Sequence, residues 1–436
     1  MTDMSKVWAA ACPLLLVLAA CPSANSHLIG GSGGDAAADG GSIELDAGKM
    51  DRDSGSPPRD AAGQPDASDD NDGGGLDAIG DDATAGDATD TDAGSGDTGP
   101  PPDSGPGTLL LLAGGGSSIF TGELRTTAWS TSILTDATND APSLAFYGPA
   151  SALGVIRSTA NSGELHYTAW TPGSFSAFTP IAQGVTTRAA PAFAGTRTHA
   201  DLAFQGDDMM YYFSSWSTSW NIDAEAIAVP GSHSFGPMPP SITTLGEADV
   251  VAFAGGDGNL YDQSRTNGSW NTAQGHNLTG MLTFTPQIAA LASGPELLIV
   301  FVESSDSKVL FTTRSSGVWS TPAPIDPNAF ASQHVALAAL SGSGAVVAFR
   351  GNDANIYWSR YAPASGWSAV APVASPNVMT PAAPAVASGL GVDAELAFIS
   401  AADGAVYHAR LTGQSWSAPT RIGGTGLTNV ALARSP

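Results

Sequence analysis

An aromatic residue returns seven times along the last three quarters of this chain, at Trp129, Phe175, Trp220, Trp270, Trp319, Trp367 and Trp416, mostly beside glycine or serine. The separations are 46, 45, 50, 49, 48 and 49 residues. That period fits one four-stranded propeller blade and is too long for most helical repeats. Seven copies predict an all-β chain folded as a seven-bladed β-propeller of four-stranded antiparallel blades.

Each unit opens with an apolar run, such as Val250 to Phe253 or Val346 to Phe349. A Gly, Asp and Asn turn follows, as in Gly255-Gly256-Asp257-Gly258, with the chemistry of a tight hairpin that needs positive φ. The second strand carries an aromatic, in order Phe120, Tyr211, Tyr261, Phe311, Tyr357 and Tyr407, and after a Gly or Ser break the motif Trp starts a third strand. The tyrosines are expected to pack between blades, and the turn aspartates to close their hairpins through backbone hydrogen bonds. A small-residue segment completes the unit: Ser143 to Phe146, Pro191 to Ala194, Ile288 to Ala292, Val335 to Ala338 and Pro384 to Ala387. Its alanines suit the crowded axis of a propeller. Asn429 to Arg434 has the same pattern with no unit after it, while the first unit, at Leu109, has no such strand before it. The C-terminal strand should therefore close the ring and remove the open sheet edge.

Charge is unevenly spread. Between residues 22 and 107, 19 acidic residues face only Lys49, Arg52 and Arg59, so −16 of the formal −25 lies there and about −9 on the propeller. Neither part has a basic stripe, which excludes nucleic acid as an expected partner. Residues 22–107 contain almost no large apolar side chain and read as a disordered acidic linker, spanning roughly 50 Å as a flexible coil. Residues 1–21 read as a bacterial lipoprotein signal: Lys6, an apolar run from Val7 to Ala20, and Leu18-Ala19-Ala20-Cys21 resembling a lipobox. Lipidation of Cys21 would anchor the protein to the cell envelope, and Pro22 after it points by resemblance to the outer membrane. The propeller, residues 108–436, has no cysteine, so packing and ring closure must stabilise it.

A second column precedes the motif Trp by four to seven residues: Arg125, Trp170, Trp216, Arg265, Arg314, Arg360 and Arg410. Both residue types offer a flat face, and arginine adds a fork of donors, so either can meet a sugar. Two readings stand side by side: a cation–π brace on the blade's own motif Trp, or a ring of shallow sugar sites. Trp220, Trp270, Trp319, Trp367 and Trp416 likewise serve as blade core or as platforms.

Units such as Val251-Ala-Phe-Ala-Gly-Gly-Asp-Gly-Asn-Leu-Tyr261 with Gly268-Ser-Trp270, and Val347-Ala-Phe-Arg-Gly-Asn-Asp-Ala-Asn-Ile-Tyr357 with Gly366-Trp367-Ser368, resemble the seven-bladed bacterial lectins typified by the Photorhabdus fucose-binding lectins. The resemblance implies sugars held between neighbouring blades, by the Arg/Trp column and the motif Trp. Ser315 to Trp319 and Thr266 to Trp270 also resemble part of a sialidase Asp-box, but the arginine triad, Tyr/Glu and Asp of sialidase chemistry do not gather on the inner strands.

No pair of carboxylates stands out as a glycosidase site, and His166, His199, His233, His276, His334 and His408 lack metal-ligand spacing and read as surface or turn residues. The expectation is a multivalent glycan-binding lipoprotein without enzymatic activity, cofactor or metal. A protein-binding envelope scaffold is the second reading and a sialidase-like hydrolase the third.

Overall fold

The computed structural model describes residues 107–436, apart from 149, 222–223, 231–233, 235, 279, 343 and 375–377. The expectations for the signal, for Cys21 and for residues 22–106 lie outside the described residues, as does His233. Strands dominate what is described, and no helix among these residues is long and apolar enough to cross a membrane.

Seven antiparallel sheets form seven blades. In the first, the order from the axis outward is Asn429–Arg434, Leu109–Gly115, Ser118–Leu124 and Trp129–Thr135. Leu109 lies opposite Arg434 and Gly114 opposite Asn429, so the last strand closes the ring as expected. The other innermost strands are Ser143–Phe146, Ala192–Gly195, Ser241–Leu245, Gln287–Ala290, Ala336–Ala339 and Ala385–Ser388, and each neighbours the next around the axis. At Gly195 that approach is so close that a Cβ would collide with the Phe146 carbonyl oxygen, and only glycine fits.

The core lies on the second strands. Leu297–Val302 and Ala394–Ile399 are buried throughout because blades cover both of their faces, which explains their unbroken apolar runs. Neighbouring blades share these clusters: Val346, Ala348 and Trp358 of the sixth blade pack with Leu396 and Phe398 of the seventh.

A repeated device closes the hairpin after the second strand. The turn aspartate accepts a backbone N–H two residues on, from Met210 to Asp208, Asn259 to Asp257, Lys308 to Asp306, Asn355 to Asp353 and Ala405 to Asp403. In four blades a tyrosine hydroxyl donates to the same carboxylate (Tyr212, Tyr261, Tyr357, Tyr407), while its ring stacks on the cross-strand Phe204, Phe253, Phe349 or Phe398. The third blade thus uses Tyr212 in this role, not Tyr211, whose fully buried ring sends its hydroxyl to the Met238 carbonyl.

The Trp-bearing outer strand is broken, where a continuous third strand was expected. Only Trp129–Thr135 runs unbroken from its motif aromatic. In four of the last five sheets, and in the second, two short pieces pair with the same neighbour, such as Val318–Trp319 and Ala323–Pro324 against Val309–Ser315. In the third blade Trp220 makes one bridge to Trp216, and Glu225–Ile227 forms the outer strand. Pro180, Pro324 and Pro372 sit in these pieces; lacking a donor, proline is suited to an outer edge and blunts it.

Candidate functional site

In the third to seventh blades the strand inside the outer one runs from the aspartate hairpin on one face of the ring to the Arg/Trp column on the other, and in the first two blades it starts from a turn without aspartate. The motif aromatic follows the next turn and reaches to the preceding blade. Trp129 meets His408 (ring centroids 5.2 Å apart), Trp220 meets Tyr167 (5.8 Å), Trp270 meets Phe213 (5.4 Å), Trp319 meets His276 (4.8 Å), Trp367 meets Phe311 (5.7 Å) and Trp416 meets Trp358 (5.8 Å). Phe175 packs against the cluster that holds Ile119 of the first blade. Most of these contacts are edge-to-face, the geometry that aromatic quadrupoles favour. Trp220 is buried, whereas Trp129, Trp270, Trp319, Trp367 and Trp416 are only partly covered.

The arginines lie in the same grooves, held chiefly by carboxylates. Arg265 Nε donates to Glu225 of the third blade at 2.9 Å, and its guanidinium sits 4.6 Å from the Phe213 ring centroid. Arg314 pairs with Glu296 at 3.2 Å and lies 5.9 Å from its own Trp319 ring. Arg360 Nη1 donates to Asp393 (3.1 Å) and to the Gly413 carbonyl (3.2 Å), both in the seventh blade. Arg410 pairs with the fully buried Glu395 at 3.3 Å and donates to the Leu390 carbonyl. Arg125 pairs with buried Glu123, which also accepts from Trp170 Nε1 and Gly173 N of the second blade, both at 3.1 Å. Trp170 is 2% exposed, and Trp216 packs edge-on to Trp220 and against Tyr167. Among the arginines of the column, a cation–π contact with the blade's own motif Trp occurs at Arg314, while ion pairs are the general device.

Between the sixth and seventh blades Trp416, Tyr407, Phe398 and Met379 line a pocket of about 870 Å³. A second cavity, about 640 Å³, opens at the axis, where the innermost strands begin. His334 lines it, partly exposed, and burial among the innermost strands pushes its imidazole down to about 4.

The solved structures that share this architecture include the BP39L lectin of Burkholderia pseudomallei, with a TM-score of 0.61 and 17% identity over 73% of this chain and 96% of that one. Weaker likenesses are to AofleA of Arthrobotrys oligospora (0.48, 11%, 67% and 88%) and to the six-bladed Aleuria aurantia lectin, described for its fucose recognition (0.44, 12%, 65% and 96%). What the BP39L lectin shares with this chain is the propeller fold. No protein-family model matches the chain, and no curated protein sequence does.

Sequence spacing concealed several polar groups in these grooves. His166, His276 and His408, expected at the surface or in turns, are buried against carboxylates: Asp136 at 2.7 Å, Asp262 at 2.9 Å and Glu395 at 2.8 Å. Asp201 and Asp249 come together between the third and fourth blades. Burial, reinforced by the neighbouring Asp249 carboxylate, holds the Asp201 carboxyl far above the ordinary range, and burial raises Asp249 as well. The two groups touch rather than facing each other across a sugar-sized gap, so they do not form the paired carboxylates of a glycosidase.

Proposed function

We infer that the propeller binds carbohydrate in the grooves between its blades, several sugars to a chain. The observation that carries the reading is the repeated pairing of a partly exposed indole with an arginine–carboxylate pair in these grooves. Sugar hydroxyls both donate and accept, so a guanidinium fork beside a carboxylate satisfies neighbouring hydroxyls, and an indole face covers the apolar side of the ring. The groove between the sixth and seventh blades has these elements within reach of solvent: the Arg360 and Asp393 side chains are 28% and 36% exposed at the Arg-column end, and Trp416 walls the 870 Å³ pocket, which opens toward the aspartate hairpin and is not lined by that ion pair. Buried Trp170 and Trp220 serve as groove floor in this account, leaving the sugar contacts to Arg125, Trp216, Arg265, Arg314, Arg360 and Arg410 with Trp270, Trp319, Trp367 and Trp416.

Shallow sites of this kind gain useful strength when several engage one glycan surface. The lipobox-like Leu18 to Cys21 and the acidic stretch behind it support display of this surface from a lipid anchor on the bacterial envelope. The fold match to a lectin supports binding over catalysis.

A glycan array probed with residues 108–436, beside an Arg314→Ala/Arg360→Ala double variant, tests the reading. Binding to a related group of glycans that falls about tenfold or more in the variant is expected, since avidity compounds the loss of each site. A blank array from folded protein, or binding indifferent to the double substitution, would sink it.

A further inference from the structure

The groove between the third and fourth blades differs from the others. Asp201 on Ala200–Gln205 and Asp249 on Ala248–Ala254 enter it from opposite blades, with His199 of the preceding turn beside them. One ligand atom from each lies within 4.8 Å of the others. Asp201 is 1% exposed, and neither of its buried carboxylate oxygens accepts a hydrogen bond from a protein N–H or hydroxyl; its neighbours are the Asp249 carboxyl and His199 Nε2, 3.1 Å from Oδ2. A buried carboxylate in that state is costly unless a cation or a proton compensates it. Arg265 supplies only part of the compensation, because its guanidinium is 3.8 Å from Asp249 and donates to Glu225 at 2.9 Å.

We propose that His199 Nε2, Asp201 and Asp249 form a zinc-type divalent metal site that staples the third blade to the fourth. The ring of His199 is already oriented for it: Nδ1 lies 3.0 Å from the Thr196 hydroxyl and 3.1 Å from that of Thr198, which leaves Nε2 turned to the carboxylates. Metal-binding histidines are aimed by such a partner on the other nitrogen. One imidazole and two carboxylates suit Zn²⁺ better than Ca²⁺ or Mg²⁺, which take oxygen ligands alone. The His199 side chain is 40% exposed, so solvent reaches the site and can complete the coordination.

The test is calorimetric titration of the whole chain, stripped with EDTA, with zinc chloride at neutral pH, repeated with calcium chloride. One strong Zn²⁺ site per chain is expected, weakened more than about tenfold in both His199→Ala and Asp201→Asn, with no comparable calcium site. Zinc should also raise the melting temperature of the wild type and leave both variants unmoved. His199→Ala alters a partly exposed turn, and Asp201→Asn keeps the shape of the buried side chain, so one reports even if the other folds poorly. No zinc binding by the wild type, or binding of equal strength in both variants, would overturn the proposal, the latter placing zinc elsewhere on the chain.

Discussion

At the scale of single residues, the tryptophans divide by what their indole N–H meets. Trp170 donates to Glu123 across the blade boundary, and Glu123 is nearly buried. The Nε1 atoms of Trp270, Trp319, Trp367 and Trp416 meet no acceptor of the protein. Replacing Trp170 by phenylalanine removes both ring area and a donor from a buried carboxylate, whereas Trp416→Phe removes ring area and an N–H that has no acceptor to lose. Urea denaturation should therefore find Trp170→Phe the more destabilising by about 1–3 kcal/mol, the usual cost of an orphaned buried polar group. Equal losses would mean that the Glu123 tie contributes nothing. These roles could not be read from spacing, because the partners come from other strands and blades. Glu123 lies 47 residues from Trp170, and Asp136 lies 30 from His166. The histidines look scattered in linear sequence for the same reason, although three of them are buried and hydrogen-bonded to carboxylates.

At the scale of strands, the aromatic period and the apolar runs were legible because every blade must solve the same packing problem. Ser143–Phe146 and Asn429–Arg434 fall where expected, while the bounds of several other innermost strands slip by a residue or two. Expected at Pro191 and Pro384, two of them begin at Ala192 and Ala385, since proline has no N–H to join the ladder. Ser241–Leu245 escaped notice because its serine and threonines lack the alanine pattern of its counterparts. Two adjacent tyrosines hid which one, Tyr212, reaches the hairpin aspartate. The strand with the largest consequence is Asn429–Arg434, which covers the fully buried Leu109, Leu110, Leu111 and Leu112. Truncation after Thr428 would expose an apolar edge, and such edges recruit other chains. The truncated protein should aggregate and lose cooperative melting; a sharp melt at the wild-type temperature from a monomeric truncated chain would contradict closure by this strand.

At the scale of the whole molecule, the ring offers two kinds of place for a small ligand. The axial cavity is single, whereas the grooves recur with the blades, each with its own selection of Trp, Arg and carboxylate. Ring symmetry was legible in the sequence; the quality of each groove was not, because it depends on which blade lends the acid. Arg265 takes its carboxylate from the preceding blade, Arg360 from the following one and Arg410 from its own. The number of sugars bound per chain separates the two kinds of site. Native mass spectrometry of residues 108–436 with a panel of free monosaccharides, methyl α-L-fucoside first among them, at roughly 1 mM measures that number directly. A ladder of adducts with more than one sugar per chain is expected, shortened by Arg314→Ala/Arg360→Ala. No adduct with any sugar, or a single adduct indifferent to those substitutions, would contradict it.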